Sequence, residues 1–172
     1  IQRLQAEGKI TEVIKAPARW GIPLRPLPRS HGERLLVVGD AAGQVKPTTG
    51  GGIYYSLVAS DVAAETLRTA LVEDNLSASS LSCYEKSWKS VLSQELEIGY
   101  SARRIFEGLR DCQMDFLMHA VNSNGIYKEI VESRALSFDW HSGLITRLLG
   151  NPLVSKALAY INPLLAVTAP HK

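Results

Sequence analysis

Apolar residues in the first part of the chain follow the pattern of strands and loops. Ile10 to Ile14 alternates apolar and polar positions, which predicts a half-exposed strand. Four prolines within residues 16–32 predict a loop with short strand pieces, because proline cannot continue a helix or a ladder. Leu35 to Val38 is a run of four apolar residues that stops at Gly39. This run is typical of a short central strand covered on both faces.

The period changes to that of a helix after the glycine run at residues 50–52. A stripe of apolar residues predicts one long helix, and its members are Ile53, Leu57, Val58, Ala64, Leu67 and Leu71. Beside this stripe lie residues small enough for close packing against a sheet: Ser56, Ala59, Ser60 and Ala63.

The second half of the chain reads as helical. A polar break at residues 77–82 precedes a predicted helix over residues 84–110. Two further stretches, at residues 114–121 and 126–136, are separated by the Asn122–Gly125 break. Near the end, two short helices are predicted at residues 144–149 and 153–160, the second started by Pro152. The residues from 144 to 167 are apolar, but they are interrupted too often to cross a membrane.

Composition excludes little. The 19 basic and 17 acidic residues leave a net charge of +2, so no nucleic-acid partner is expected. Cys83 and Cys112 lack the paired spacing of redox or zinc sites and are expected to be free, partly buried thiols. The four histidines have no partner at ligand spacing, and no metal is expected. Without a secretory pattern near Ile1, a cytoplasmic location is expected.

Candidate chemistry is concentrated at Asp40 and the glycine run. A carboxylate at the end of a buried strand is costly unless it is paired or hydrogen-bonded, and hydroxyl groups of a sugar or ribityl chain would serve as donors. Alternatively, Asp40 caps the turn formed by residues 41–43. Gly50, Gly51 and Gly52 each cost about 1 kcal/mol at a helix start relative to alanine, which argues for close approach by another group; a flexible hinge is the other interpretation.

These residues carry a resemblance. The stretch Gly39-Asp40-Ala41-Ala42-Gly43-Gln44-Val45-Lys46-Pro47-Thr48-Thr49-Gly50-Gly51-Gly52-Ile53, with Ala63-Ala64 downstream, closely resembles the second flavin-binding motif of the geranylgeranyl reductase family of FAD-dependent oxidoreductases. The upstream Gly21-Ile22-Pro23-Leu24 is similar to the strand that precedes this motif in the family. The likeness is specific from about residue 20 to residue 67.

The resemblance implies FAD as the cofactor and reduction of isoprenoid double bonds as the activity. Asp40 would bind the ribityl and pyrophosphate region, and the loop from Pro47 to Gly52 would lie beside the isoalloxazine ring. The helix that starts at Gly52 and Ile53 would point at the pyrimidine edge. The implied cofactor-binding residues are Gly39, Asp40, Ala41, Pro47, Gly50, Gly51, Gly52 and Ile53. No catalytic residue is assigned.

The implied fold class is α/β. Residues 1–75 would form the end of an FAD-binding Rossmann-like domain with a mixed sheet, and residues 76–172 a mostly helical carboxy-terminal region. Two departures from the family are visible: Ser60 stands where glycine is common, and the amino-terminal G-x-G-x-x-G fingerprint for the adenosine diphosphate half of FAD is absent. The chain is therefore expected to be the carboxy-terminal portion of a reductase and to bind FAD poorly alone.

The expected partners are the missing amino-terminal half of the flavin domain and a prenyl-lipid or prenyl-diphosphate substrate. The apolar tail leaves peripheral contact with a membrane open. Other functions remain open at this point: a flavin monooxygenase or halogenase, although hydroxylases favour histidine at the place of Gly43; a quinone-linked electron-transfer flavoprotein dehydrogenase; and, outside enzymes, a helical interaction module with a relic flavin motif.

Overall fold

The computed structural model describes residues 2–11, 18–132 and 137–161. These residues are mostly helical and contain one small sheet of two strands, β1 (His31–Gly32) and β2 (Leu35–Leu36), followed by a 3₁₀ helix at Gly39–Ala42. The helices are α1 (Gln2–Ala6), α2 (Ile53–Val72), α3 (Ala78–Glu107), α4 (Asp111–Ser123), α5 (Ile126–Glu132), α6 (Ser142–Gly150) and α7 (Pro152–Ile161).

The main core lies between α2 and α3. Alanines on α2 permit close approach of large side chains on α3, and the buried cluster consists of Tyr55, Ala59, Ala63, Tyr84, Trp88, Leu92 and Leu96. Leu36 and Val38 pack against this cluster from the strand side. The strand end and the start of α2 are thereby fixed to the same core. The division of the chain at residues 75 and 76 stays a prediction.

The short strand from residue 35 is not the central strand that its apolar run predicts. Within the described residues it pairs only with β1, in antiparallel register with His31 opposite Leu36. Leu35 is 54% exposed, whereas Leu36 and Val38 face the core. The segment is therefore covered on one face, and a two-stranded antiparallel ladder stands where a mixed sheet was expected.

The packing of α2 agrees only in part with the expected one. The helix forms as predicted, and Ala59 and Ala63 of its small residues are buried, but they pack against a helix instead of a sheet. Most of the predicted apolar stripe is exposed, including Leu57 at 61% and Leu71 at 63%. Ser60 lies on this exposed face. The cause is the size of the α3 side chains, which fill the space that only short α2 residues leave free.

The polar break predicted at residues 77–82 is wrong. Ser77 is the N-cap of α3, and its side-chain oxygen accepts a hydrogen bond from the Ser80 amide at 3.3 Å. Serine is a favoured N-cap because it satisfies an amide that has no partner within the helix. The helix consequently starts at Ala78, six residues earlier than its expected start at residue 84.

The remaining helices follow the sequence closely. The break at Gly125, the start of α7 at Pro152 and the two short terminal helices are confirmed. A second apolar cluster joins α5 and α7 through Ile126, Val154 and Leu158. The alternating segment at residues 10–14 falls mostly outside the described residues, although Ile10 and Thr11 form no strand. Cys83 and Cys112 are free, as expected, but exposed.

Candidate functional site

The 3₁₀ helix that carries Asp40 is anchored to α3 by buried polar groups. Gly39, at φ +72°, donates its amide hydrogen to Gln44 Oε1 at 2.7 Å. The fully buried Gln44 in turn donates to the Tyr84 hydroxyl at 2.9 Å, and that hydroxyl donates to the Val37 carbonyl at 2.9 Å. Burial raises the pKa of Tyr84, so its hydroxyl stays protonated. The turn is therefore held from both ends.

Gly43 closes this turn and requires glycine. Its φ is +70°, and a Cβ there would collide with the Arg25 carbonyl group and the Pro26 Cα. The Leu27 amide donates to the Ala42 carbonyl at 3.0 Å on the same side. The segment before β1 is thus in backbone contact with the turn, which leaves Asp40 on the opposite, exposed side.

The Asp40 carboxylate lies directly against Gly52, at the start of α2. A Cβ on Gly52 would collide with Asp40 Oδ1 and come within 3.0 Å of Val45 Cγ1. Among the described residues the carboxylate accepts no hydrogen bond, and it is the Asp40 backbone carbonyl that accepts from the Gly43 amide at 3.0 Å. Side-chain capping of the turn is therefore not observed, and the carboxylate has its full acceptor capacity.

The glycine run approaches its own chain closely. Gly50, at φ +74°, donates to the Lys46 carbonyl at 2.8 Å, and Gly51 accepts from the Lys46 amide at 2.9 Å. A Cβ on Gly51 would come within 3.3 Å of Lys46 Cε. The requirement for glycine is therefore partly internal: one position needs a left-handed backbone, and the next two border Lys46 and Asp40.

Helix α2 begins without a side-chain cap. Gly52 occupies the N-cap position, and its carbonyl accepts the first helical bond from the Ser56 amide at 2.8 Å. Within the described part of the chain, the first-turn amides of Ile53, Tyr54 and Tyr55 have no acceptor. These amides carry the partial positive charge of a helix start. A carboxylate acceptor and a set of amide donors consequently lie side by side.

The eight predicted cofactor-binding residues all surround the start of α2, but they are not equally accessible. Asp40, Ala41 and Ile53 are exposed, and the three glycines are half-buried. Gly39 and Pro47 are buried; Pro47 packs against α3 at Gly99, and its carbonyl accepts from Arg103 Nη1 at 3.1 Å. The surface open to a ligand is therefore Asp40, Ala41, the glycines and the first turn of α2.

Sequence reasoning missed a polar cluster beneath this surface. Lys46 is buried, and its ammonium group pairs with Asp139 at 2.7 Å. Thr48 Oγ1 lies 2.7 Å from His141 Nδ1, and the Tyr55 hydroxyl donates to the Asp139 carbonyl at 3.0 Å. No local signal reveals such contacts, since the partners lie 84 to 93 positions apart. Burial is the main cause that raises the pKa of Tyr55, and the negative charges of Glu95 and Asp139 raise it further.

Two further findings concern other kinds of site. Across the described ranges, no three histidine, cysteine, aspartate or glutamate residues are placed to hold a metal ion. No helix of the described residues is long and apolar enough to cross a bilayer.

Comparison with known proteins shows that the sequence is similar to those of several reductases. No protein-family profile matches the chain. The chain is 35% identical over 109 residues to digeranylgeranylglycerophospholipid reductase 2 of Methanopyrus kandleri, an alignment covering 63% of this chain and 28% of the relative. It is 36% identical over 101 residues to the protein of the same name from Methanothermobacter thermautotrophicus, covering 59% and 26%.

A broader alignment extends the likeness. Reductase 1 of Methanopyrus kandleri is 32% identical over 138 residues, covering 77% of this chain and 36% of the relative. The resemblance to the geranylgeranyl reductase family is confirmed. Among solved structures, a geranylgeranyl bacteriochlorophyll reductase-like protein from Thermoplasma acidophilum superimposes with a TM-score of 0.54 at 23% identity, covering 81% of this chain and 30% of that one. This last likeness concerns the fold alone.

The chain is also much shorter than these reductases. It spans about a quarter to a third of the length of the curated reductases that it matches.

Proposed function

We propose that this chain is the carboxy-terminal portion of an FAD-dependent oxidoreductase that reduces carbon–carbon double bonds of isoprenoid chains. Similarity to reductases of digeranylgeranyl lipids supports the reaction class. The observation that carries the proposal is the position of the Asp40 carboxylate, which lies against Gly52 and has no hydrogen-bond donor among the described residues. Asp40 then meets a donor when a ligand bearing hydroxyl groups binds.

The residues at the start of α2 suit the ribityl-to-ring part of FAD. Asp40 would accept hydrogen bonds from ribityl hydroxyl groups, which are charge-assisted and position a ligand well. The amides at Ile53 and Tyr54 would donate to electron-rich atoms at the edge of the ring and stabilise negative charge there. When bound, FAD would supply the hydride chemistry. Gly39 and Pro47 would act from below, by fixing the turn and the loop.

The exposed face of α2 supports a role for further polypeptide. Leu57, Leu67 and Leu71 lie on that side of the helix and are 61%, 37% and 63% exposed. Apolar rows of this kind mark surfaces that another element covers. The remainder of the flavin domain, with its sheet and its adenosine diphosphate site, is the partner we assign to this face. In that assembly, residues 1–75 would complete a Rossmann-like domain.

The substrate class follows the relatives. Their names specify a glycerophospholipid that carries geranylgeranyl chains, which favours a prenyl lipid over a prenyl diphosphate. A flavin monooxygenase, a halogenase and a quinone-linked dehydrogenase have no comparable support. The alternative of another class is a helical interaction module that does not bind flavin. On that alternative, joining the chain to the rest of a flavin domain would not produce a protein that binds FAD.

A chimaeric protein tests the proposal. This chain replaces the matching segment of reductase 2 from Methanopyrus kandleri, and flavin content is read from the visible absorbance of the purified chimaera. We expect near-stoichiometric FAD in the chimaera and little or none in the isolated chain, because the pyrophosphate lacks most of its donors there. Anaerobic reduction of a digeranylgeranyl glycerophospholipid is expected to follow. A folded chimaera without flavin would contradict the proposal.

A further inference from the structure

A short segment of the helical region contacts the glycine loop from beneath. This segment, Phe138–Ser142, leads into α6 and includes its first residue, and the loop comprises residues 46–52. Lys46 Nζ donates to Asp139 Oδ1 at 2.7 Å and to the Phe138 carbonyl at 3.0 Å. Only 7% of the Lys46 side chain is exposed, so its charge depends on that carboxylate for compensation.

A second hydrogen bond joins the segment to Thr48, the residue that follows Pro47. His141 Nε2 lies 3.0 Å from the Phe138 carbonyl, which can only accept, and this nitrogen therefore carries the hydrogen. In the neutral imidazole, Nδ1 is then the acceptor for the Thr48 hydroxyl at 2.7 Å. The segment thus binds the loop at Lys46 and Thr48, the two residues that flank the buried Pro47.

The segment is itself fixed to the core. Glu95 on α3 is buried, and its Oε1 accepts hydrogen bonds from the amides of His141 and Ser142. The Tyr55 hydroxyl on α2 donates to the Asp139 carbonyl at 3.0 Å. The loop is therefore attached, through Asp139 and His141, to both helices of the main core.

Lys46 transmits this attachment to the glycines. Its backbone carbonyl accepts from Gly50 and its amide donates to the Gly51 carbonyl, while its Cε lies beside Gly51. Lys46 thereby fixes the backbone at Gly50 and Gly51, which adjoins Gly52, the residue against which the Asp40 carboxylate lies.

We propose that the Lys46–Asp139 pair is a positioning device that fixes the glycine loop in its ligand-binding form and thereby sets the affinity for FAD. The inference rests on the proposed function and adds a second part of the chain to it. Neither residue contacts the ligand; the pair acts through the loop. Residues 138–142 of the helical region are therefore part of the cofactor site, although they lie far from the motif in sequence.

The first test needs no flavin. Amide hydrogen exchange in this chain is compared between wild type, Asp139→Asn and the control Glu65→Gln, which removes an exposed ion pair with Arg68 on α2. We expect exchange at Lys46 and Gly50 to become roughly tenfold faster or more in Asp139→Asn, with Ala59 and Leu92 unchanged. The control should leave all four amides unchanged. Unaltered exchange at Lys46 and Gly50 would overturn the proposal.

The second test measures the dissociation constant for FAD in the chimaera. Asp139→Asn should raise it roughly tenfold, Asp139→Glu should recover part of the loss, and Glu65→Gln should have no effect. If Asp139→Asn does not fold, Thr48→Val removes one bond to the segment without leaving a buried charge and should weaken binding in the same direction. Wild-type affinity in the folded variants would overturn the proposal, whereas a wild-type chimaera without flavin would contradict the proposed function instead.

Discussion

At the scale of single residues, buried polar groups fix the strands to α3. Glu85 Oε2 accepts from the Ser30 amide at 2.6 Å, from the Ser30 hydroxyl at 3.1 Å and lies 3.1 Å from His31 Nδ1. Lys89 adds an ion pair at 2.7 Å, and Trp88 Nε1 donates to the same Ser30 hydroxyl. Ser30 and Trp88 are fully buried, so loss of Glu85 or of the Ser30 hydroxyl would leave a buried donor without its acceptor, which costs more than an exposed hydrogen bond contributes.

This cluster predicts a specific acid sensitivity. Partial burial raises the pKa of Glu85, but the hydrogen bonds from Lys89, Ser30 and His31 outweigh it and lower the pKa from 4.5 to about 2. Because the pKa is lower in the folded state, the carboxylate stabilises the fold at pH values above its unfolded-state pKa. This contribution is lost as the pH falls from about 4.5 to 2. Solvent screening at the partly exposed Lys89 keeps this contribution below the roughly 3 kcal/mol that the full shift would give.

Urea denaturation at a series of pH values checks this expectation. Glu85→Gln should be less stable than wild type at pH 7, and the difference should shrink as the pH falls from about 4.5 toward 2. Glu65→Gln, which alters an exposed pair, should differ little from wild type at neutral pH. A constant difference between Glu85→Gln and wild type at every pH would show that the carboxylate does not have the assigned role.

Residues of the motif could be predicted because their requirements are local. Gly50 needs a left-handed backbone and Gly52 borders a residue only twelve positions away, so both leave a mark in a short stretch of sequence. Asp139 and His141 leave none, because their partners Lys46 and Thr48 are brought to them only by the packing of α2, α3 and α6.

At the scale of elements, the positions of α2 and α7 could be predicted, whereas the start of α3 and the packing partner of α2 could not. The apolar periodicity of α2 and the proline at the start of α7 specify where these helices form, since both signals act within one or two turns. Which face of α2 is buried depends on its partner. Alanines face the large residues of α3, and the more apolar row is left exposed within the described structure.

Substitutions on the two faces of α2 should change the free energy of unfolding by different amounts. Ala59→Leu should destabilise the chain by about 1–3 kcal/mol or more, because Ala59 is fully buried against α3. Changing Leu67 and Leu71 together to Gln should alter the unfolding free energy of the isolated chain by less than about 1 kcal/mol, since both are exposed. Urea denaturation followed by circular dichroism measures both effects. Equal losses would contradict the assignment of the faces.

At the scale of the whole molecule, the proposed cofactor site consists of parts that lie far apart in the sequence. The turn with Asp40 and the start of α2 come from the motif, the segment at residues 138–142 supports them from the helical region, and the proposed adenosine diphosphate site lies in further polypeptide. The number of strands beside Leu35 could not be predicted from its apolar run, because that number depends on the strands available elsewhere in the polypeptide.

The most direct measurement is the FAD content of the chimaera with Asp40→Asn, beside a matched Asp61→Asn variant. Asp61 lies on α2 and is exposed, as Asp40 is on the 3₁₀ helix, and asparagine preserves the shape of both side chains while removing the charge. We expect Asp40→Asn to lose most of its flavin while its thermal unfolding stays close to that of the flavin-free wild type, and Asp61→Asn to keep it. Full flavin occupancy in Asp40→Asn would contradict the account.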